Sequence, residues 1–220
     1  LNKTLRFIFI PETIGSLAYL SRNLKTLKEN IIGGYNLSCI GDDRAHSCIL
    51  SKDENSLSDK ALFESYKKLR IKYKIYSYLD RGSDERQYNS PNVDLGITSI
   101  FRTKYGEYPE YHTSLDNFGN VVTKKGLRGG FKVAKKSIEI LLNKIIPKSK
   151  IIGEPQLGRR GLYTKFAIQK KKNQTRDLIN FMAYADGKND LKAISIKLRI
   201  SYRKSLFYLK ILLKHNLIYC

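Results

Sequence analysis

Side chains able to do chemistry crowd into one stretch, DRGSDERQYNSPNVDLGITSIFRTKYGEYPEYHTSLD, from Asp80 to Asp116. Asp80, Arg81, Asp84, Glu85 and Arg86 alternate in sign within seven positions. An apolar run follows, Leu95 to Phe101, and then a loop carries Tyr105, Tyr108 and Tyr111 ahead of His112, Thr113 and Asp116. A histidine presented after a strand can bind a metal through one ring nitrogen while an acid orients the other. Charged loops are commonly just solvated, and tyrosine-rich loops commonly just pack, so His112 alone would be read as structural. The density of polar groups behind a strand is what favours a site.

Such groups need elements to hold them. Leu5 to Ile10 (LRFIFI) is a continuous apolar run of the kind found in a buried parallel strand, stopped by Pro11 and followed by Glu12. Ile14, Leu17, Ala18, Leu24 and Leu27 then recur at helical spacing. Glu12 could be a general base or a metal ligand, and equally a carboxylate favoured by a helix N-terminus. Gly33 to Ile40 is a second strand, ending in Gly41-Asp42-Asp43-Arg44, which reads as a site edge or an ordinary turn. His46 is expected to be exposed in the next loop. Ser56 or Ser58 caps a helix to about Arg70, and Tyr73 to Leu79 is a third strand. Gly126 to Ile145 is a long amphipathic helix that should close the sheet. Residues 1–150 therefore read as an α/β domain, a mixed, mostly parallel sheet covered by helices, with polar loops after the first three strands on one edge.

Residues 151–173, which include GEPQLGRRGLY, are expected to be a connecting arm. Residues 174–220 form a small helical pattern: Arg176 to Ala185, Leu191 to Leu198 and Tyr202 to His215, with a short turn at Arg199-Ile200-Ser201. This resembles a winged-helix or helix-turn-helix module. Arg203, Lys204, Lys210 and Lys214 make its last helix basic, a feature of nucleic-acid readers and of plain solvated faces alike.

Composition sets bounds. The net charge is +21 over 220 residues, and residues 151–220 hold 15 Lys and Arg against 4 Asp and Glu. That invites a nucleic-acid partner, although the chain is rich throughout in Lys, Ile, Asn and Tyr. No run approaches the ~18 apolar residues of a membrane span. LNKTLRFIFIPE is too short in its apolar part for a signal peptide, and three cysteines without CxxC spacing suit reduced thiols in a cytoplasm. Position 1 is Leu and the sole methionine is Met182, so the chain is expected to be a fragment with part of the fold upstream. A sheet edge exposed in that way would favour a homo-oligomer.

Five ordered segments, FIPETIGS (Phe9–Ser16), YNLSCIGDDRA (Tyr35–Ala45), LDRGSDERQYNSP (Leu79–Pro91), RTKYGEYPEYHTSLD (Arg102–Asp116) and GEPQLGRRGLY (Gly153–Tyr163), resemble the aminopeptidase-like DUF4910 family. The likeness covers essentially the whole chain. It implies a fold like that of the M28 zinc exopeptidases with a C-terminal winged-helix domain, and a setting beside polysaccharide biosynthesis. It implies one zinc ion in the full-length protein. His112 would be a zinc ligand and Asp84 a residue lining the metal site, with Glu85 where a histidine usually stands. Glu12 would be a base or a ligand, with the base preferred. Thr13 and Ser38 stand where M28 enzymes carry acids, which puts a two-zinc centre in doubt.

On that resemblance the expected chemistry is metal-assisted hydrolysis of a small peptide-like or amide substrate. A zinc would polarise the carbonyl and activate water, and Glu12 would take the proton. Arg81, Arg86 and Arg102 would meet an anionic group, and Tyr111 would wall the pocket. Two other readings stand beside it: a non-catalytic binding protein of the same fold, and a nucleic-acid-binding regulator acting through residues 174–220. As a fragment, the chain itself is expected not to hydrolyse.

Overall fold

The structure is a computed structural model describing residues 3–162 and 172–220, and it divides into two compact units, Leu1–Asn143 and Lys144–Cys220. In the first unit the elements are α1 (Ile14–Asn30), β1 (Gly34–Leu37), β2 (Ser47–Ile49), α2 (Leu57–Leu69), β3 (Lys74–Tyr76), α3 (Glu85–Tyr88), β4 (Ile97–Phe101) and α4 (Lys124–Leu142).

The strands form one sheet in the order β1-β4-β2-β3. β1 pairs with β4 in parallel (Gly34 opposite Ile97), β2 pairs with β3 in parallel, and β2 meets β4 antiparallel (Ser47 opposite Phe101). The sheet is thus mixed and mostly parallel. β4 is central and buried at all five positions, as expected of a continuous apolar run.

Alternation along β4 divides the core between the two faces. Thr98 and Ile100 face α2 and α4: Ile100 packs with Cys48, Leu62, Tyr66, Val133 and Ala134. Ile97, Ser99 and Phe101 face the other way. There Ile97 packs with Leu20 of α1 and Leu95, and Phe101 packs with Ile49 and Tyr105. Helix α4 lies very close to the chain leaving β1. A Cβ on Gly126 would come within 1.9 Å of the Gly41 carbonyl oxygen, and one on Gly130 within 2.5 Å of that of Ile40, so only glycine permits this approach.

α2 starts in a full capping box. The Ser56 hydroxyl accepts from the Asp59 N–H, and the Asp59 carboxylate accepts from the Ser56 N–H. Asp59 is wholly buried yet also accepts from the Ser51 N–H and hydroxyl, the Ser56 hydroxyl and the Thr98 hydroxyl. These donors satisfy a carboxylate that would otherwise be costly to bury. They also pin the Ser51–Ser56 turn to the sheet.

Three expectations need correction. Leu5 to Ile10 is not a strand: it is irregular, and Phe7 and Phe9 are 68% and 92% exposed. Among the described residues no strand pairs with it. β2, only three residues long, was not anticipated. It reverses direction against β4, so β3 ends on the sheet edge opposite to the ends of β1 and β4. The polar loops therefore do not all gather on one edge. The chain leaves β3 through Gly82, where an added Cβ would come within 2.8 Å of the Tyr105 ring, and α3 follows, bonded to β4 through Glu85 and Ser99.

The second unit holds β5 (Lys148–Ser149), α5 (Lys172–Ala183), α6 (Leu191–Lys197), α7 (Tyr202–Lys214) and β6 (Ile218–Tyr219), with β5 and β6 antiparallel. Leu178, Phe181, Leu191, Ile194, Tyr208 and Leu212 fill its core. Leu157 and Leu162 join that core, and the part of the expected connecting arm at 163–171 lies outside the described residues. Asp190 and Ser201 cap α6 and α7. Among the described residues no helix is long and apolar enough to cross a membrane.

Candidate functional site

Where β1 and β4 end, three chain segments meet. The first is the start of α1. Thr13 sits there at φ 60°, ψ −68°, a conformation that a β-branched residue adopts only when its surroundings hold it. They do so twice: Asp84 Oδ1 accepts the Thr13 N–H at 2.7 Å, and Arg86 Nη2 donates to the Thr13 hydroxyl at 2.7 Å. The second segment is the turn into α3, which supplies both of those partners. The third is the loop from Tyr105 to Asp116. Its tip is tied to the loop after β1 by a two-pronged Arg44–Glu110 pair at 2.7 and 2.9 Å.

His112 is exposed, takes φ 60°, and stacks on the Tyr111 ring with centroids 3.9 Å apart. Burial raises the pKa of Tyr111, and the negative charges that add to the effect include Glu12. Glu12 itself is exposed. Behind the loop, the Tyr108 hydroxyl donates to Asp116 Oδ2 at 2.8 Å and lies 3.6 Å from Cys39 Sγ. Burial pushes the Cys39 thiol up, which keeps it neutral and unlike an activated nucleophile.

Beneath these groups lies a buried, fully bonded polar cluster. Glu85 is fully buried. Its Oε1 accepts from the Gly82 and Ser83 N–H groups, each at 2.9 Å, and from the Tyr105 hydroxyl at 2.8 Å. Its Oε2 accepts from Ser99 at 2.8 Å and Asn36 at 3.0 Å. Burial alone would raise its pKa. The bonds from Ser83, Tyr105, Gly82 and Ser99 outweigh burial and hold the carboxyl below its ordinary value. Four residues further along, Asn89 closes the β4 backbone where β2 has ended, bonding both the N–H and the carbonyl of Ile97.

A second buried cluster holds Arg102. Its Nε donates to the Asp42 carbonyl at 2.7 Å, and its Nη1 contacts His46 Nε2. The Asp42 carboxylate takes the Arg44 and Thr103 N–H groups and the Thr103 hydroxyl. His46 is half-buried rather than exposed, and burial, followed by the Arg102 charge, pushes its pKa down to about 4. It is neutral at pH 7 and accepts from the guanidinium.

The structure thus brings together Glu12, Asp84, Arg86, Tyr111 and His112, around Thr13. It does not bring Arg102 there: that side chain is 7% exposed and already committed to Asp42 and His46. Arg81 points elsewhere too, lying over the Tyr78 ring at 4.7 Å. The local sequence concealed Glu85, whose five donors come from positions as far apart as Asn36 and Tyr105.

A zinc ion, implied by the resemblance, needs about three protein ligands in one place. Among the described residues no three His, Cys, Asp or Glu side chains are so grouped. His112 lies flat on Tyr111, Asp84 already serves Thr13, and both oxygens of Glu85 are taken. These residues do not make a zinc site by themselves.

A mixed sheet with helices on both faces, its candidate groups at the ends of two parallel strands, followed by a winged-helix unit, defines an aminopeptidase-like architecture. The family model described as Domain of unknown function (DUF4910) matches residues 1–144, and a winged helix-turn-helix model matches residues 145–220. The chain belongs to the DUF4910 family. A relative from Clostridium acetobutylicum, provisionally named a polysaccharide biosynthesis protein with aminopeptidase-like domain, is 34% identical over 207 residues, covering 90% of this chain and 46% of the relative. A crystal structure from Clostridium acetobutylicum, provisionally described as a peptidase, matches with a TM-score of 0.59 at 30% identity, over 95% of this chain and 46% of that one. A zinc aminopeptidase from Bacillus subtilis is a far weaker match, at TM-score 0.45 and 17% identity over 57% of this chain and 32% of its own, too distant to inform the chemistry. This chain spans about half the length of the relative it matches.

Proposed function

We propose that the edge formed by Glu12, Asp84, Arg86, Tyr111 and His112 binds a small peptide-like or amide-containing ligand, in a protein of aminopeptidase-like fold that serves polysaccharide biosynthesis. The carrying observation is the convergence of three segments on Thr13, with an exposed carboxylate, a guanidinium and a stacked Tyr–His pair around it. Glu12 suits an ammonium group of the ligand, the Arg86 guanidinium an amide or carboxylate oxygen, and the ring pair an apolar side chain.

The second reading is zinc-dependent hydrolysis by the longer protein. It is favoured by Glu12, a carboxylate left in solvent beside Tyr111 and His112. In that reading His112 and Asp84 supply part of the ligand set and Glu12 takes a proton. Zinc content and amide-bond turnover of a protein of the relatives' length, beside its His112→Ala form, separate the two. Turnover that disappears together with zinc in the variant establishes hydrolysis. Ligand binding without zinc or turnover establishes the binding function. A nucleic-acid role for residues 174–220 is tested independently by whether duplex binding falls steeply with salt.

A further inference from the structure

Between the ends of β2 and β3 and the short helix α3, a recess of about 550 Å³ is lined by Lys52, Arg81 and Arg86, with Tyr78, Leu79 and Pro91 among its apolar walls. Of the residues at the Thr13 edge, Arg86 also lines it, while Glu12, Asp84, Tyr111 and His112 do not. Its volume is in the usual range for small-molecule sites, about 300–1,000 Å³. We propose that this recess binds the phosphate or diphosphate group of a phosphorylated small molecule, beside the Thr13 edge, with which it shares Arg86.

Three observations carry this. First, the charge is unbalanced. Lys52, Arg81 and Arg86 converge with Glu54 as the lone acid of the lining, and none of the ion pairs among the described residues involves any of these four. A single carboxylate would leave most of that positive charge uncompensated, whereas a phosphate monoester brings about −1.5 to −2.

Second, the cations stand on fixed supports. Lys52 follows Ser51, which is locked to the buried Asp59, and the Glu54 N–H closes the turn onto the Ser51 carbonyl at 2.9 Å. Arg81 follows a capped turn, where the Ser77 N–H is held by Asp80 and the Ser77 hydroxyl by the Leu79 N–H, and its guanidinium rests on the Tyr78 ring. Arg86 is fixed by the Thr13 hydroxyl. Planar guanidinium forks held in place match the oxygens of a phosphate better than a mobile surface charge does.

Third, the recess has an apolar side. Leu79 is 81% exposed beside Tyr78 and Pro91, which suits a ring or chain attached to the phosphate.

Calorimetric titration of the 220-residue protein with inorganic pyrophosphate, at about 150 mM salt to suppress diffuse attraction, tests the proposal. Inorganic phosphate and malonate serve as comparison ligands. Saturable one-site binding is expected, pyrophosphate tightest and malonate weakest, with Arg81→Gln and Lys52→Gln each raising Kd by about tenfold or more. Arg203→Gln and Lys214→Gln remove the same charge from the second unit and should leave Kd within about twofold. Folding of each variant is checked by its far-UV spectrum. His112 does not line the recess, so His112→Ala should leave pyrophosphate binding intact even where it abolishes amide-ligand binding, which distinguishes the two proposals despite the shared Arg86. The proposal is overturned by an absence of saturable binding, by malonate matching pyrophosphate, by equal losses in the Arg203 or Lys214 variants, or by a loss in His112→Ala.

Discussion

Replacing Glu85 tests whether a buried carboxylate organises the α/β unit. Each of its five bonds goes to a charged acceptor, a class worth about 1.5–3 kcal/mol singly. Bonds to one group are not additive, because a truncated side chain lets donors relax or water enter. A realistic figure for Glu85→Ala is therefore the about 3–5 kcal/mol typical of breaking one partner out of a buried ionic network. Glu85→Gln should cost less, about 1–2 kcal/mol. Its remaining oxygen can keep the Gly82, Ser83 and Tyr105 donors, while the new amide N–H groups face Ser99 and Asn36. The Ser99 hydroxyl can rotate and the Asn36 amide can turn to accept. The pH response has a definite sign. A carboxyl held below its unfolded pKa contributes stability above that value, and the contribution is lost as pH falls through the folded pKa. The wild-type unit should therefore weaken below about pH 4.3, and the Gln variant more gently. Urea unfolding by far-UV circular dichroism, with amide exchange at Ile97–Phe101 reporting on the first unit, measures both effects. A loss under about 1 kcal/mol for Glu85→Ala, or a Gln variant as damaged as the Ala one, would refute the reasoning.

Further predictions follow from single contacts. Gly126→Ala should cost at least about 2 kcal/mol, since its Cβ would sit 1.9 Å from the Gly41 carbonyl oxygen and the helix must move; thermal unfolding reads this, and a neutral result would mean that α4 packs differently. The His46 ring should not titrate by NMR until about pH 4. Because the unfolded histidine takes its proton first, His46 contributes stability that is lost as pH falls from about 6.5 towards about 4, and a ring titrating near 6.5 would contradict its placement against Arg102. Asp190→Ala should cost the second unit about 1–2 kcal/mol by uncapping α6, whose Ala193 N–H it accepts at 2.7 Å. The first unit should be unaffected in the same melt.

The sequence made long periodic elements legible and short or non-local ones not. β4 could be read because Leu95–Phe101 is continuously apolar and central strands are buried on both faces. The same rule misled at Leu5–Ile10: an apolar run states a need for burial but not a hydrogen-bonding partner, and here Phe9 remains in solvent. Three residues, Ser47–Ile49, are too few to show a period, yet their antiparallel docking on β4 decides which edge each loop reaches. For the same reason the arginines could not be sorted locally. Arg102, Arg86 and Arg81 all sit near strand ends in sequence, but Arg102 is buried against Asp42, Arg86 braces Thr13 while lining the recess, and Arg81 rests on Tyr78 at that recess. The helices of the second unit were legible from their apolar periods and the short turn between the last two, and the structure adds the caps, Asp190 for α6 and Ser201 for α7.

The most direct test of the Thr13 edge is calorimetry of the 220-residue protein with a short peptide amide in the presence of a chelator, beside His112→Ala. The account predicts saturable binding without metal, weakened about tenfold or more in the variant. Binding that requires added zinc, or that is indifferent to His112, would contradict it.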